Sequence, residues 1–143
     1  MQVEINLNSD DSEKIAYNKS EFPVYVRQGF LSTYPNYAAI SHWHDDIELI
    51  YILSGEMYYN INGKQVILHA GEGLFVNTRQ IHYGFSPEHQ ECIFICVLFH
   101  PLLLCSSAYV EQHFVLPVLQ NDCVPYLILQ KQDENAQQIL HIL

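Results

Sequence analysis

Four residues of this chain have the types and spacing to do chemistry together: His42, His44, Glu48 and His82. His42 and His44 are two residues apart, and in extended backbone that spacing points both imidazoles to one face. Glu48 comes four residues after His44, so an unbroken strand carries it to the same face. His82 follows the glycine pair Gly71 and Gly73 and stands near the start of a later strand. Three imidazoles and one carboxylate converging inside a β-barrel would suit a divalent first-row metal such as Mn, Fe, Ni, Cu or Zn and leave coordination positions open. The same set could instead form a hydrogen-bonded polar floor beneath a small organic ligand.

The elements that must position these groups can be read from periodicity. Residues 22–30 predict a first strand, and residues 34–37, with Pro35 and Asn36, a turn. Residues 38–43 predict the strand that delivers the two histidines, which Asp45 and Asp46 then end. From Ile47 to Leu53 the chain is apolar on both faces except at Glu48, as expected of a strand in the middle of a sandwich or barrel. Glu48 shares its face with Ile50 and Ile52 and so points inward, and a buried carboxylate needs a partner. Residues 56–60 and 64–69 predict a hairpin about Asn62-Gly63, a pair suited to the positive φ angles of a type I′ turn. Further strands are expected at 73–76, 82–85 and 90–99, with a turn from Ser86 to His89. About eight short strands with frequent turn signals argue for a β-sandwich or barrel. After His100 the pattern changes. Ser106 or Ser107 would cap a helix interrupted at Pro117, residues 124–129 read as a late strand, and Asp133 or Asn135 would cap a last helix. In that helix Ala136, Ile139, Leu140 and Leu143 form an amphipathic stripe.

Two motifs resemble a known family. His42-x-His44-x3-Glu48-x6-Gly55 resembles the first cupin motif, and Gly71 to His82 the second. The run from His42 to Phe99, including Tyr59–Lys64 and Leu74–His82, is similar to the N-terminal effector-binding and dimerisation domain of AraC-type transcription regulators. Residues 100–129 resemble the helical continuation of that domain. The resemblance implies a mainly β fold, a cupin barrel (a double-stranded β-helix, or jelly roll) followed by C-terminal helices. Its divisions would be an N-terminal arm at 1–20, a barrel at 21–100 and a helical segment at 101–143 leading to a dimerisation helix. It implies a sensing module, not an enzyme: a small effector, a sugar among the candidates, enters the barrel, and the arm can close over it. The ligand-binding set is then His42, His44, Glu48 and His82, with Tyr83 and with Tyr58 or its neighbour Tyr59 as pocket lining. The pattern departs from the family at Asn36, Asn77, Arg79 and Ser86, which are turn positions more than ligand positions. A small metal-dependent cupin enzyme, a dioxygenase or isomerase using the same four residues, is the alternative. A metal-free sugar-binding module is a third reading.

Composition bounds these readings. The chain has 143 residues, 49% hydrophobic and 15% charged, which suits one domain with a real core. A net charge of −10 repels phosphate backbones, so any contact with DNA is expected through a helix-turn-helix module outside this sequence. A last helix ending on Ile139-Leu140-His141-Ile142-Leu143 looks cut, which suggests a piece of a longer protein. Cys92, Cys96, Cys105 and Cys123 form no C-x-x-C pair and read as reduced thiols in a cytoplasmic protein. The N-terminus lacks the pattern of a signal peptide, and no apolar run approaches the roughly 20 residues that span a bilayer. His69, His89, His100, His113 and His141 read as surface or capping residues, and Trp43 as a core residue facing away from its flanking histidines. There is no Ser-His-Asp arrangement, phosphate-binding glycine loop or basic patch.

Overall fold

A computed structural model describes residues 2–143. Two antiparallel sheets face each other. The larger has five strands: β1 (Val24–Phe30), β2 (Ile47–Ser54), β5 (Gly73–Val76), β7 (Ile93–Phe99) and β8 (Tyr126–Leu129), in the spatial order β1-β7-β2-β5-β8. The smaller has β3 (Glu56–Ile61), β4 (Lys64–His69) and β6 (His82–Phe85), in the order β4-β3-β6.

Strand β2 lies inside the large sheet because it is apolar on both faces. Its inward residues Ile50 and Ile52 are buried with Leu74, Val76 and Phe94 from the same sheet and Met57, Tyr59, Ile61 and Leu68 from the opposite one. Removing one such side chain from water is worth roughly 1.5–3 kcal/mol, so this interlayer cluster outweighs any single polar contact. The hairpin between β3 and β4 turns at Asn62 (φ 50°) and Gly63 (φ 82°), the positive pair that the sequence predicted. Gly55 (φ 83°) makes the turn out of β2, where a Cβ would stand 2.4 Å from the Glu91 carbonyl oxygen. Only glycine satisfies both conditions.

The sequence-based elements require three corrections. The histidine segment, expected as a strand at 38–43, is extended but joined through isolated bridges, Ala38 to Phe85, His42 to His82 and Trp43 to Ser12. A 3-10 turn at Pro35–Tyr37 holds Asn36 and Tyr37 at positive φ (54° and 55°), and the chain leaves it before a regular ladder can form. Pro117 does not stop its helix: α1 (Ala108–Val110) passes through a π turn at Glu111–Val115 into α2 (Leu116–Leu119). The wide turn absorbs the donor that proline lacks. Trp43 is only half-buried and packs against the arm, not the core: its Nε1 donates to the Asp10 carbonyl (2.9 Å), and the Arg79 guanidinium lies 5.6 Å from its ring centre.

The remaining elements follow expectation. Ser107 caps α1, and Asp133 caps α3 (Glu134–Ile142) by accepting from the N–H groups of Asn135 and Ala136. Strand β8 pairs with β5, so the chain returns to the large sheet after its helical excursion. All four cysteines are free. No described helix is long and apolar enough to cross a membrane.

The N-terminal residues fold back and dock. Asn8 N–H donates to the Ser12 carbonyl and Lys14 N–H to that of Asn6, both at 2.8 Å, which closes a loop. The loop lies along the histidine segment: Glu13 N–H donates to the Trp43 carbonyl (2.8 Å) and Trp43 N–H to that of Asp11 (3.3 Å). Farther out, Val3 N–H reaches the Thr33 carbonyl at 2.9 Å.

Candidate metal and effector site

The inward face of β2 presents Glu48, the extended segment beside β6 presents His42 and His44, and the first residue of β6 presents His82. All four are buried, between 1% and 6% exposed, although each is ionisable. Their ligand atoms lie within 4.8 Å of one another. Glu48 Oε2 stands 3.3 Å from Nε2 of both His44 and His82. His42 Nε2 is 3.5 Å from Oε2 of Glu13, the arm's contribution to the cluster.

Backbone carbonyls set the tautomer of each ring. Nδ1 of His42 lies 2.8 Å from the Ile40 oxygen, Nδ1 of His44 3.0 Å from that of Asp46, and Nδ1 of His82 2.7 Å from that of Gln80. A carbonyl only accepts, so each Nδ1 carries the proton and donates it. In the neutral ring Nε2 is then a bare lone pair, aimed at the centre. Two such lone pairs facing one carboxylate oxygen repel unless a proton or a cation lies among them. Two donors bound to one first-row ion at about 2.1 Å are themselves about 3.0–3.4 Å apart, and the 3.3 Å separations match that spacing. By atom type, tautomer and separation, this group could hold a metal, with each imidazole oriented from behind by a backbone oxygen.

Electrostatics agree. Burial, then the neighbouring His82, pushes His42 down to about 4, so its ring is neutral at physiological pH. For His44, burial works downward, but the hydrogen bond and charge of Glu48 outweigh it and the net shift is up. Burial would raise Glu48, yet His82 and His44 hold it well below the usual carboxylate range. Tyr59 donates its hydroxyl to Glu48 Oε1 and stacks on His82 at 6.0 Å, and burial followed by the Glu48 charge pushes its own pKa well up. Glu13 is raised chiefly by burial. Asp46, also raised chiefly by burial, takes a hydrogen bond from Tyr17 at 3.0 Å while its Oδ2 has no partner.

A cavity of about 160 Å³ opens beside the cluster, with His42, Glu48 and Tyr59 in its wall. Arm residues 3–6 and 13–16 close one side. The structure thus brings together His42, His44, Glu48 and His82. It does not bring Tyr58 and Tyr83 to them. Their rings pack about Phe85 at 5.7 and 5.4 Å, on the face of the small sheet opposite Tyr59. Period two explains this: Tyr59 shares the inward face with Met57 and Ile61, so its neighbour Tyr58 must point out. Glu13, Tyr25, Arg27 and Cys96 also line the cavity, and sequence reasoning passed over them. Tyr25 and Arg27 left a legible signal, two residues with polar tips at period two in the first strand. Glu13, on a distant polar loop, left none.

Comparison with known proteins agrees with this geometry. Residues 30–98 match the family described as "Cupin domain", a stretch that takes in both histidine motifs. It is 32% identical over 99 residues to an uncharacterized HTH-type transcriptional regulator, YdeC, of Bacillus subtilis (strain 168), a match covering 69% of this chain and 34% of that protein. The chain therefore spans about a third of the length of the curated relative it matches. Among solved structures, a variant of salicylate 1,2-dioxygenase from Pseudoaminobacter salicylatoxidans in complex with gentisate superposes with a TM-score of 0.50 at 22% identity, covering 56% of this chain and 22% of that one. An RmlC-like cupin from Shewanella frigidimarina NCIMB 400 gives 0.48 at 20% identity, over 55% of this chain and 67% of that one. The fold is a cupin β-barrel.

Proposed function

We propose that this chain is the sensing and dimerisation module of a cytoplasmic AraC-type transcription regulator, which binds a small effector in the barrel and acts on DNA through a helix-turn-helix module outside these residues. The observation that carries this reading is the arm-walled cavity. A ligand between the arm and the His42–Glu48 wall touches both, and can therefore change how firmly the arm is held. The identity to an HTH-type regulator supports the same reading, as does a charge of −10, which makes this module by itself a poor ligand for DNA. In this account 1–20 is the arm, 21–100 the barrel and 101–143 the segment ending in a dimerisation helix. His42, His44, Glu48 and His82 would hold a divalent first-row metal. Bound there, the ion would supply Lewis acidity toward a ligand oxygen.

Sedimentation with and without candidate effectors tests the proposal, using the intact chain and a variant lacking residues 1–16. A ligand-dependent change in association that disappears with the arm supports the sensor. Ligand binding that leaves association unchanged in both contradicts it.

The second reading, a metal-dependent cupin enzyme, draws support from the donor set, since three imidazoles and one carboxylate leave coordination positions for a substrate. Oxygen consumption or turnover by Fe- or Mn-loaded protein would favour it. Binding without turnover favours the sensor.

A further inference from the structure

The cavity is chemically divided. At one end stand His42, Glu48 and Glu13. On the wall away from them is Arg27, whose strand neighbours Val26 and Gln28 point outward and are exposed. Register places Arg27: it pairs across β1 and β7 with Cys96, and Cys96 pairs across β7 and β2 with Ile50, two residues from Glu48. Two strand spacings and one two-residue step separate the backbones of Arg27 and Glu48 by about 12 Å. Between them the walls are apolar, with Leu31, Met57 and Phe94.

Arg27 is a cation without a counterion. No carboxylate lies in ion-pair contact with it among the described residues, whereas Arg79 is engaged by Asp45 at 3.0 Å on the surface. The chain has only 6 Lys and Arg against 16 Asp and Glu, yet none of the carboxylates in the cavity wall, Glu4, Glu13 and Glu48, is in ion-pair contact with Arg27. A half-buried guanidinium requires an anion or water to replace lost hydration, and its planar fork fits a carboxylate through two N–H donors. The Tyr25 and Tyr34 hydroxyls lie beside it. Burial, the foremost cause for each, raises both and keeps them protonated donors. Volume limits the body of the ligand, since an apolar cavity of about 150 Å³ accommodates benzene. A cavity of about 160 Å³ therefore suits a single ring or a chain of about six carbons.

We propose that the cavity takes a small monocarboxylic acid, with its carboxylate on Arg27, its apolar body against Leu31, Met57 and Phe94, and its far end at His42 and Glu48. This names the ligand class for the sensor reading and rests on that reading for its biological purpose, but the binding claim is tested separately. Titration calorimetry of the intact chain would compare benzoate and hexanoate with their uncharged analogues benzamide and hexanamide. The acids are expected to bind at least tenfold more tightly than the amides. Arg27→Met should abolish that preference, so that acids and amides bind alike, and Arg27→Lys should retain part of it, which separates loss of the charge from loss of the fold. Equal binding of acids and amides, an acid preference that survives Arg27→Met, or no acid binding would each overturn the proposal. Sedimentation of the same samples separates the two claims. Acid-selective binding without a change in association would support the ligand class and contradict the sensor. A change in association with glucose but with neither acid would support the sensor and overturn the ligand class.

Discussion

At the scale of single residues, the barrel holds a carboxylate that could not stay ionised in an apolar interior alone. Glu48 is balanced by His44 and His82 on one oxygen and by the Tyr59 hydroxyl on the other. Tyr59→Phe keeps the ring that stacks on His82 and removes only the donor. A hydrogen bond to a charged group is worth about 1.5–3 kcal/mol, so the variant should lose about that much stability in denaturant titration. His42 gives the pH dependence. Its folded pKa, about 4, lies below its unfolded value of 6.5, so the unfolded chain binds the extra proton first. The stabilisation is complete above pH 6.5 and is lost as the pH falls toward 4, by about 3 kcal/mol over that interval. The depressed Glu48 acts in the same direction, losing its contribution at still lower pH. His44, shifted upward by Glu48, works in the opposite sense, so the test is a comparison: His42→Gln should make the fall in melting temperature between pH 6.5 and pH 4 shallower than in the wild type, and an unchanged profile would contradict the neutral, buried His42. The four-residue cluster was legible in the sequence because spacing at period two and an inward Glu48 sufficed to find it. Choosing Tyr59 over Tyr58 required the strand register, which begins at Gly55 and is set by a turn.

At the scale of elements, what could be read depended on how local the determinant was. The Asn62-Gly63 hairpin, the inward face of β2 and the Asp133 cap each follow from neighbouring residues, and the structure has them as expected. The histidine segment does not. Its missing ladder follows from the two positive φ angles at Asn36 and Tyr37 and from the approach of the arm, a contact about thirty residues distant in sequence that periodicity does not carry. The helix through Pro117 is a similar case, where a π turn accommodates a residue that normally ends helices. Gly55 is the element-scale test. Alanine there must hold φ near 83° and bring its Cβ 2.4 Å from the Glu91 oxygen. Gly55→Ala should cost about 2 kcal/mol or more by denaturation, and a neutral substitution would contradict this turn.

At the scale of the whole molecule, the terminal helix divides its apolar stripe. Ala136 is buried, and Leu140 Cδ2 approaches Gly73 of β5, so that side of α3 is taken up by the chain's own sheet. Ile139 and Ile142, 38% and 84% exposed, remain for a partner. If α3 pairs with its copy in a dimer, Ile139→Glu with Ile142→Glu should shift sedimentation toward monomer while leaving the melting temperature of the barrel nearly unchanged, and an unaltered dimer would rule out that helix as the interface. The arm, the barrel floor and the cluster meet at one cavity, which is why a ligand or a metal there can be felt at the chain's periphery. The metal content of purified protein, measured per chain by mass spectrometry for wild type and for His42→Ala with His44→Ala, tests the centre of this account most directly. Stoichiometric metal in the wild type and none in the double variant is the predicted result. Equal metal in both, or none in the wild type after incubation with Zn, Mn or Fe, would contradict it.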